Sequence, residues 1–464
     1  MNTTNSKPEL LSLTSFCKGL AIIAVVLVHW KGGWFGWQGV HVFIILSGLG
    51  LGFSCFKRPQ TPKWNSWFRR RLRRLLPAYW LAVWISTIIL LLFDLHSVKH
   101  TLVRTVLDTF LLTNVFEGFR GGATGAFWFV PFIIGAYLLF PALYYWLKKY
   151  PTWQGSLSLM LGILALEWTY RAIAIYLLDG KPIAHDTAFI SLIPNSVSAL
   201  KQQPDWLYGL FQRRAPFGFI PARMAEFTLG VVAGCTYARH PQPTQRIVLN
   251  RYSGLLGLVV WFCGQGLLYV GLWGWVFSDF VIAFGLILWM INLAVIVQQR
   301  YLQLFKILST IGIWSYYIYL IHHPFTRLGP QLVNQISNSE AGLTSDILLT
   351  GAIFILMMLT VSVFSWLLMQ FDGSKWPEWM INQLFDRVGN IYIQLSVTWT
   401  QLRSDSRLKN SPILAAMVMT FLIPKILLQA GFWVAKPTDP SEKTLSYSKA
   451  KPNQPASNPS SNSR

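Results

Sequence analysis

Lys18 and His29 stand eleven residues apart in the stretch FCKGLAIIAVVLVHW, Phe16–Trp30, which is otherwise almost wholly apolar. Eleven residues are close to three helical turns, so in a helix the two side chains share a face and differ in depth by about 16 Å. That face carries a cation deep in the segment and, near its outer end, an imidazole able to take up a proton. A snorkelling lysine with an interfacial histidine fits the same spacing. A second constellation is WFRRRLRRLLPAYW, residues 67–80, in which Arg71 and Arg74 lie on one helical face ahead of Pro77. Guanidinium forks grip phosphate bidentately, although basic clusters also set topology or meet lipid headgroups. The third is GIWSYYIYLIHHPF, residues 312–325. Ser315, Tyr316, Tyr319 and His322 follow one another at spacings of one, three and three, a hydroxyl-rich stripe ending in imidazole. It suits a substrate groove or an aromatic belt.

These residues must be positioned by membrane helices. Of 464 residues, 53% are hydrophobic and only 12% charged, about half the charge of a soluble domain. The 22 Trp and 31 Phe suit lipid-facing surfaces and interfacial belts. A net charge of +21 points towards nucleic acid only until the charges are placed. They cluster in gaps between apolar runs, which excludes that reading and leaves the lipid bilayer as the surrounding partner. A span needs about 20 apolar residues. Candidate spans lie near 10–30, 34–56, 75–93, 126–147, 155–178, 219–238, 254–272, 275–297, 308–325, 345–369 and 412–434. The last carries Pro424 and Lys425 near its middle. The fold class is therefore all-α, a polytopic bundle of ten or eleven transmembrane helices in the cytoplasmic membrane.

With the N-terminus cytoplasmic, the inner segments up to residue 409 hold 21 Lys and Arg against nine in the outer loops, as the positive-inside rule requires. The first apolar run is long, lacks a small-residue cleavage site and contains Lys18, so no cleavable signal is expected. Residues 96–116 have helical apolar spacing and are expected to lie along the interface. The loop 179–218 is expected outside, and the Ser/Pro/Asn-rich tail 435–464 to be disordered. Residues 371–434 form an amphipathic segment followed by the possible eleventh span. Cys17, Cys55, Cys235 and Cys263 all fall in apolar runs with no disulfide or zinc spacing, so they are expected in the core and no metal is expected.

Charged groups inside a span cost about 2.5–3.5 kcal/mol each on insertion scales and usually face a bundle interior. Here they are Lys18, Glu167, Arg171, Arg223, Glu226, Asp279 and Lys425, with histidines at 29, 41, 322 and 323. By the alternation of spans, most belong to the outer half and Lys18 lies deeper.

Taken in order, these motifs resemble the acyltransferase-3 family of membrane acyltransferases across about residues 10–370. The basic residue, ten residues and histidine of that family are Lys18 and His29. GVHVFIILSG matches its next pattern with Gly39, Phe43, Ser47 and Gly48, and Arg71, Arg74 and Pro77 match its arginine pair before proline. Trp128, Tyr137 and Pro141 match a tryptophan-led span. Arg223, Glu226, Phe227 and Gly230 match an arginine–glutamate element, and Ser315, Tyr316, Tyr319 and His322 a serine–tyrosine–histidine one. Departures are His41 for the family's usual Asp, Ile133 and Ile134 for an acidic pair, and QFDGSKWP at the end of the tenth span.

The resemblance implies transfer of an acyl group, often acetyl, to a carbohydrate or glycan hydroxyl. Acetyl-CoA or another acyl-CoA would be the donor, with its phosphates on Arg71 and Arg74 and its pantetheine arm passing Lys18. His29 would be the catalytic base, with Glu226 or Asp279 as a carboxylate to orient it. Arg223, Glu226, Ser315, Tyr316 and His322 would contact the acceptor or the oxyanion. Two other classes stay open: a glycolipid or polysaccharide transporter using a proton relay, and a non-catalytic partner in polysaccharide assembly.

Overall fold

The computed structural model describes residues 9–31, 36–93, 97–116, 126–178, 215–336 and 343–404. Those residues hold thirteen α-helices and no strand. In chain order the helices are α1 (Leu10–Lys31), α2 (Gly39–Phe56), α3 (Trp64–Leu92), α4 (Val98–Thr109), α5 (Phe129–Lys149), α6 (Trp153–Tyr176), α7 (Met224–Arg239), α8 (Pro241–Val248), α9 (Arg251–Leu267), α10 (Leu272–Arg300), α11 (Leu302–Ile336), α12 (Leu343–Asp372) and α13 (Trp376–Ser404). Each of the first ten expected spans has its helix. By length and composition eight are long and apolar enough to cross a bilayer, and α8 with α9, bent by 58°, adds a ninth. The sixteen-residue α7 is shorter, and nine of its residues are buried in the bundle. The segment 412–434 with Lys425, nearly all of the loop 179–218, and the tail lie outside the described residues. The chain divides into two compact units, residues 1–381 and 382–464. The bundle belongs to the first; of the second only the helical turns 382–404 are described.

Helices in lipid gain little from burying apolar surface, because lipid is equally apolar; small residues that let backbones touch replace that drive. Two such contacts organise the bundle. A Cβ added at Gly19 of α1 would fall on the Leu308 carbonyl of α11, and one added at Gly312 would fall on the Ser15 carbonyl. Gly48 and Gly52 of α2 meet Gly230 and Gly234 of α7 in the same way, a small-xxx-small stripe on each side. Both pairs run parallel, as helices of like direction must in an alternating topology. Below the first crossing the rings of Phe16 and Phe305 stack at 5.4 Å. The apolar cores that surround these crossings draw on α1, α2, α10 and α11 on one side and on α2, α3, α5 and α7 on the other.

The helix α4 packs by its polar side. Its polar residues Thr101, Thr105 and Asp108 are buried, whereas Leu102, Val103, Val106 and Phe110 are exposed. A helix lying on a membrane surface turns its polar face to water; this one turns it into the protein. Thr105 and Thr87 of α3 share a hydrogen bond of 2.7 Å, and the Tyr79 hydroxyl donates to the Asp108 carbonyl at 3.0 Å. The apolar side is left at the surface of the bundle.

The α1–α11 contact predicts that Gly312→Val destabilises the protein by more than the 1–3 kcal/mol usual for overpacking, because backbone and not a side chain stands in the way. Gly50, which has nothing within 4 Å of its Cβ position, serves as the control. Thermal unfolding in detergent should show a large fall for Gly312→Val and none for Gly50→Ala.

Candidate functional site

One cavity of about 470 Å³ opens among α1, α2, α3, α5, α11 and α12. Lys18, Arg71, Arg74, Ser315 and Tyr316, five of the residues singled out by sequence, line it together. Each comes from a different reason of local structure. Lys18 is carried on a face of α1 that Gly19 presses against α11. Arg71 and Arg74 project from the first half of α3, which starts at Trp64, eleven residues earlier than the expected span. Arg71 stacks over the Trp67 ring at 5.5 Å. Pro77 deprives the α3 ladder of one N–H donor. In the same turn the Tyr316 hydroxyl donates to the Leu75 carbonyl at 2.7 Å, which ties α11 to α3 beside the arginines.

The cavity also draws in Ser47, Tyr137, Tyr317 and Asp372, which the list of candidate residues omitted. Tyr137 and Ser47 belong to the family-like motifs, so the signal was present. Asp372 closes the tenth span in QFDGSKWP, where a lone acid carries no distinctive spacing. The Tyr317 hydroxyl donates to Asp372 Oδ2 at 2.8 Å. Lys18, Arg71 and Arg74 against Asp372 leave an excess of two positive charges on the wall, an electrostatic preference for an anionic ligand.

Val25 of α1 and Tyr319 of α11 line the other end of the cavity. His29 follows Val25 by one turn on the same face, and His322 follows Tyr319 by three residues. There the two imidazoles meet: His29 Nδ1 lies 3.2 Å from His322 Nε2, and the ring of His323 stands edge-on to His29 at 4.8 Å. The neighbouring carbonyls fix the tautomers, since a carbonyl only accepts. His322 Nδ1 donates to the Tyr319 and Ile318 carbonyls at 2.8 and 3.1 Å. Its Nε2 is therefore an acceptor. His29 Nδ1 donates to the Val25 carbonyl at 2.8 Å and shares that hydrogen with His322 Nε2. The His29 lone pair then sits on Nε2. His322 is fully buried, and His29 is half-buried.

A second polar cluster is separate. Arg223, Glu226 and Asp279, expected near His29, are gathered instead with His41, Glu167 and Arg171 between α2, α6, α7 and α10. Arg171 Nη1 contacts Asp279 Oδ2 at 2.7 Å and Arg223 Nη2 contacts the same oxygen at 3.4 Å. His41 Nδ1 lies 2.9 Å from Glu226 Oε2 and 3.3 Å from Arg223 Nη1. Glu167 Oε2 accepts from the Ala225 amide at 2.6 Å, and Arg171 also donates to the carbonyls of Ala222, Trp275 and Val276. All six residues are at most 5% exposed. Beside His29 stands the imidazole of His322, while Glu226 and Asp279 make their contacts in this second cluster.

Two stripe residues have partners of their own. His322 gives its Nδ1 hydrogen to its own helix and turns Nε2 toward His29. Tyr316 commits its hydrogen to Leu75, leaving Ser315 as the member of the stripe with a hydroxyl on the cavity.

Searches of curated proteins and of solved structures give no match. The family model described as an acyltransferase domain does, and it spans residues 15–370, most of the chain and all of the cavity-lining residues but Asp372. The resemblance carried by the six motifs is borne out, and the chain belongs to the acyltransferase-3 family of multi-pass membrane acyltransferases.

Proposed function

We propose that this membrane acyltransferase moves an acyl group, acetyl in the simplest case, from cytoplasmic acyl-CoA to a hydroxyl of a carbohydrate or glycan at the outer side of the cytoplasmic membrane. The observation that supports this reading best is the continuity of one cavity from Lys18, Arg71 and Arg74 to the turn below the His29–His322 pair. Phosphates of the donor would lie against the three cations at the inner end. The acyl thioester would then reach the imidazoles, which stand about 16 Å further along α1.

In the proposed reaction the acceptor hydroxyl gives its proton to His29 Nε2 while its oxygen attacks the thioester carbonyl. The imidazolium so formed keeps its Nδ1 hydrogen on the neutral His322 Nε2, which holds the ring in the productive tautomer. Collapse of the tetrahedral intermediate breaks the carbon–sulfur bond, completes the ester, and returns the proton from His29 to the CoA sulfur. Ser315 faces the cavity and can donate to the donor or to the developing oxyanion. Arg223 and Glu226 act at a distance, by fixing α7 against α2. The transporter alternative gains nothing here, since Glu226 and Asp279 are bound into the other cluster, away from His29.

His29→Ala is expected to lower transfer by about 10²–10⁴-fold with membrane insertion intact. His322→Ala should lower kcat more than it changes KM, and His322→Gln, which keeps an acceptor for His29 Nδ1, should recover part of the loss. Because the base must be neutral, kcat/KM should rise with pH; a fall would mean that His29 acts as an acid. The assay is thioester release from acetyl-CoA by purified protein with a glycan acceptor.

Arg71→Ala and Arg74→Ala are expected to raise KM for acyl-CoA more than KM for the acceptor, with lysine at either position a partial rescue. Lys18→Leu should remove activity while thermal stability is kept or raised, because a neutral residue inserts more easily. Acyl-CoA should protect wild type against heat by mass action and protect Lys18→Leu much less. Equal protection of the two would make Lys18 incidental to donor binding.

A further inference from the structure

The cavity favours an anion, yet one group on its wall is set against an anion. Asp372 stands there with Lys18, Arg71 and Arg74, and its carboxylate repels any phosphate those cations hold. It is also the last residue of α12, where the helix dipole already concentrates partial negative charge and disfavours an acid. Nor does it neutralise one of the three cations by contact. Among the described residues the ion pairs are His41–Glu226, Arg73–Glu378, Arg171–Asp279 and Arg223–Asp279, and none includes Asp372, Lys18, Arg71 or Arg74. Neither phosphate binding nor the helix end gains from an aspartate at this position.

The side chain is nevertheless held in place. The Tyr317 hydroxyl donates to Asp372 Oδ2 at 2.8 Å. Six residues further on, Glu378 Oε2 accepts from Arg73 Nη1 at 3.2 Å. The turn between α12 and α13 is thus tied to α11 on one side and to α3 on the other. Tyr317 occupies Oδ2, and among the described residues no donor reaches Oδ1. What stands fixed on the cavity wall is a carboxylate with one oxygen to give, beside a set of cations that grip phosphate. A carboxylate oxygen only accepts. Its partner must be an N–H or O–H group, carried by the same ligand as the phosphates.

We propose that Asp372, oriented by Tyr317, selects the ligand of this cavity: its Oδ1 accepts a hydrogen bond from an N–H or O–H of the nucleotide thioester whose phosphates lie on Arg71 and Arg74. The inference rests on the acyl-CoA reading given above. CoA carries such groups in two places, the base amine and ribose hydroxyl of its nucleotide half and the amides of its pantetheine arm. The chemistry that Asp372 recognises is the same in both. Repulsion between carboxylate and phosphate then works as discrimination. A fully ionised anion such as sulfate has no hydrogen to share and meets repulsion alone, whereas CoA meets repulsion together with a charge-assisted hydrogen bond.

The test is titration calorimetry of the full chain in detergent with CoA, with phosphopantetheine, which keeps the amides and lacks the nucleotide, and with sulfate. Asp372→Ala should weaken CoA binding about tenfold, as loss of one hydrogen bond to a charged group implies. Asp372→Asn keeps an oxygen on the wall and should lose less. Tyr317→Phe leaves the carboxylate free to turn and should also weaken CoA. Sulfate should bind the alanine variant at least as well as wild type. Phosphopantetheine weakened in the same proportion as CoA would place the partner among the amides; unchanged, it would place the partner in the nucleotide. CoA affinity that is unchanged or raised in Asp372→Ala would make the carboxylate a repellent only and overturn the proposal. CoA and sulfate weakened alike would do the same, as would an effect that disappears in an Arg74→Ala background, where Asp372 would act by holding Arg74. Should Asp372→Ala fail to fold, the asparagine and phenylalanine variants carry the same comparisons. Wild type that binds CoA yet releases no thiol from acetyl-CoA would sink the acyl-transfer reading and leave this one standing; wild type that binds no CoA would overturn this one directly.

Discussion

Everything in the site hangs on the place where α1 and α11 touch. Gly19 and Gly312 have no side chains, so each backbone lies against the carbonyls of the other helix. From that fixed point the two helices run parallel, and ten residues further on each has a histidine. His29 and His322 meet at 3.2 Å because both have travelled the same number of turns from one contact. A side chain at either glycine would push the axes apart by more than a hydrogen bond can span. The same contact holds Lys18 beside Ser315 on the cavity wall. Register between helices in a membrane is set by such steric fits, since burial in lipid offers no comparable gradient.

Two polar clusters flank α2, and they handle charge in opposite ways. Around His41 the carboxylates and guanidiniums pair with one another and with backbone carbonyls and amides, which makes four helices cohere in a medium that punishes unpaired charge. In the cavity, Lys18, Arg71 and Arg74 are opposed by Asp372 alone. Charges left uncompensated inside a bundle cost stability unless something else neutralises them. The first cluster is accordingly read as architecture and the second as a place for a ligand. The sequence departures sit with this division: His41 belongs to the closed cluster, and Asp372 to the open cavity.

Hydropathy alone placed ten helices, because a span is a local property of some twenty consecutive residues. The shared face of Lys18 and His29 was equally legible, as was the arginine pair, since both rest on periodicity within one helix. Six motifs in order carried the family. What could not be read was who partners whom between helices. Glu226 was as good a partner for His29 as for His41 until the α2–α7 glycine stripe put it beside His41. Tyr316 looked like a free donor until Leu75 was found across from it, and that depends on where α3 crosses α11. Which face of α4 packs was not legible for a different reason. Amphipathic spacing is the same whether the polar side meets water or a buried threonine seam, and only the exposed Leu102, Val106 and Phe110 decide which.

The difference in burial between the paired histidines suits the roles proposed for them. A base has to be reached by the group whose proton it takes, and His29, the proposed base, has part of its surface open. The residue that orients it gains from the opposite. His322 is wholly enclosed, with its N–H tied to two carbonyls of its own helix. An enclosed neutral imidazole cannot rotate to offer its other nitrogen without breaking both bonds in a setting where no water replaces them. A carboxylate in the same place would bind the His29 hydrogen more strongly, but it would add a further negative charge to a region already close to apolar lipid. An imidazole fixed by its backbone orients the base without that cost, which gives a physical reason for two histidines where a histidine and an acid were expected.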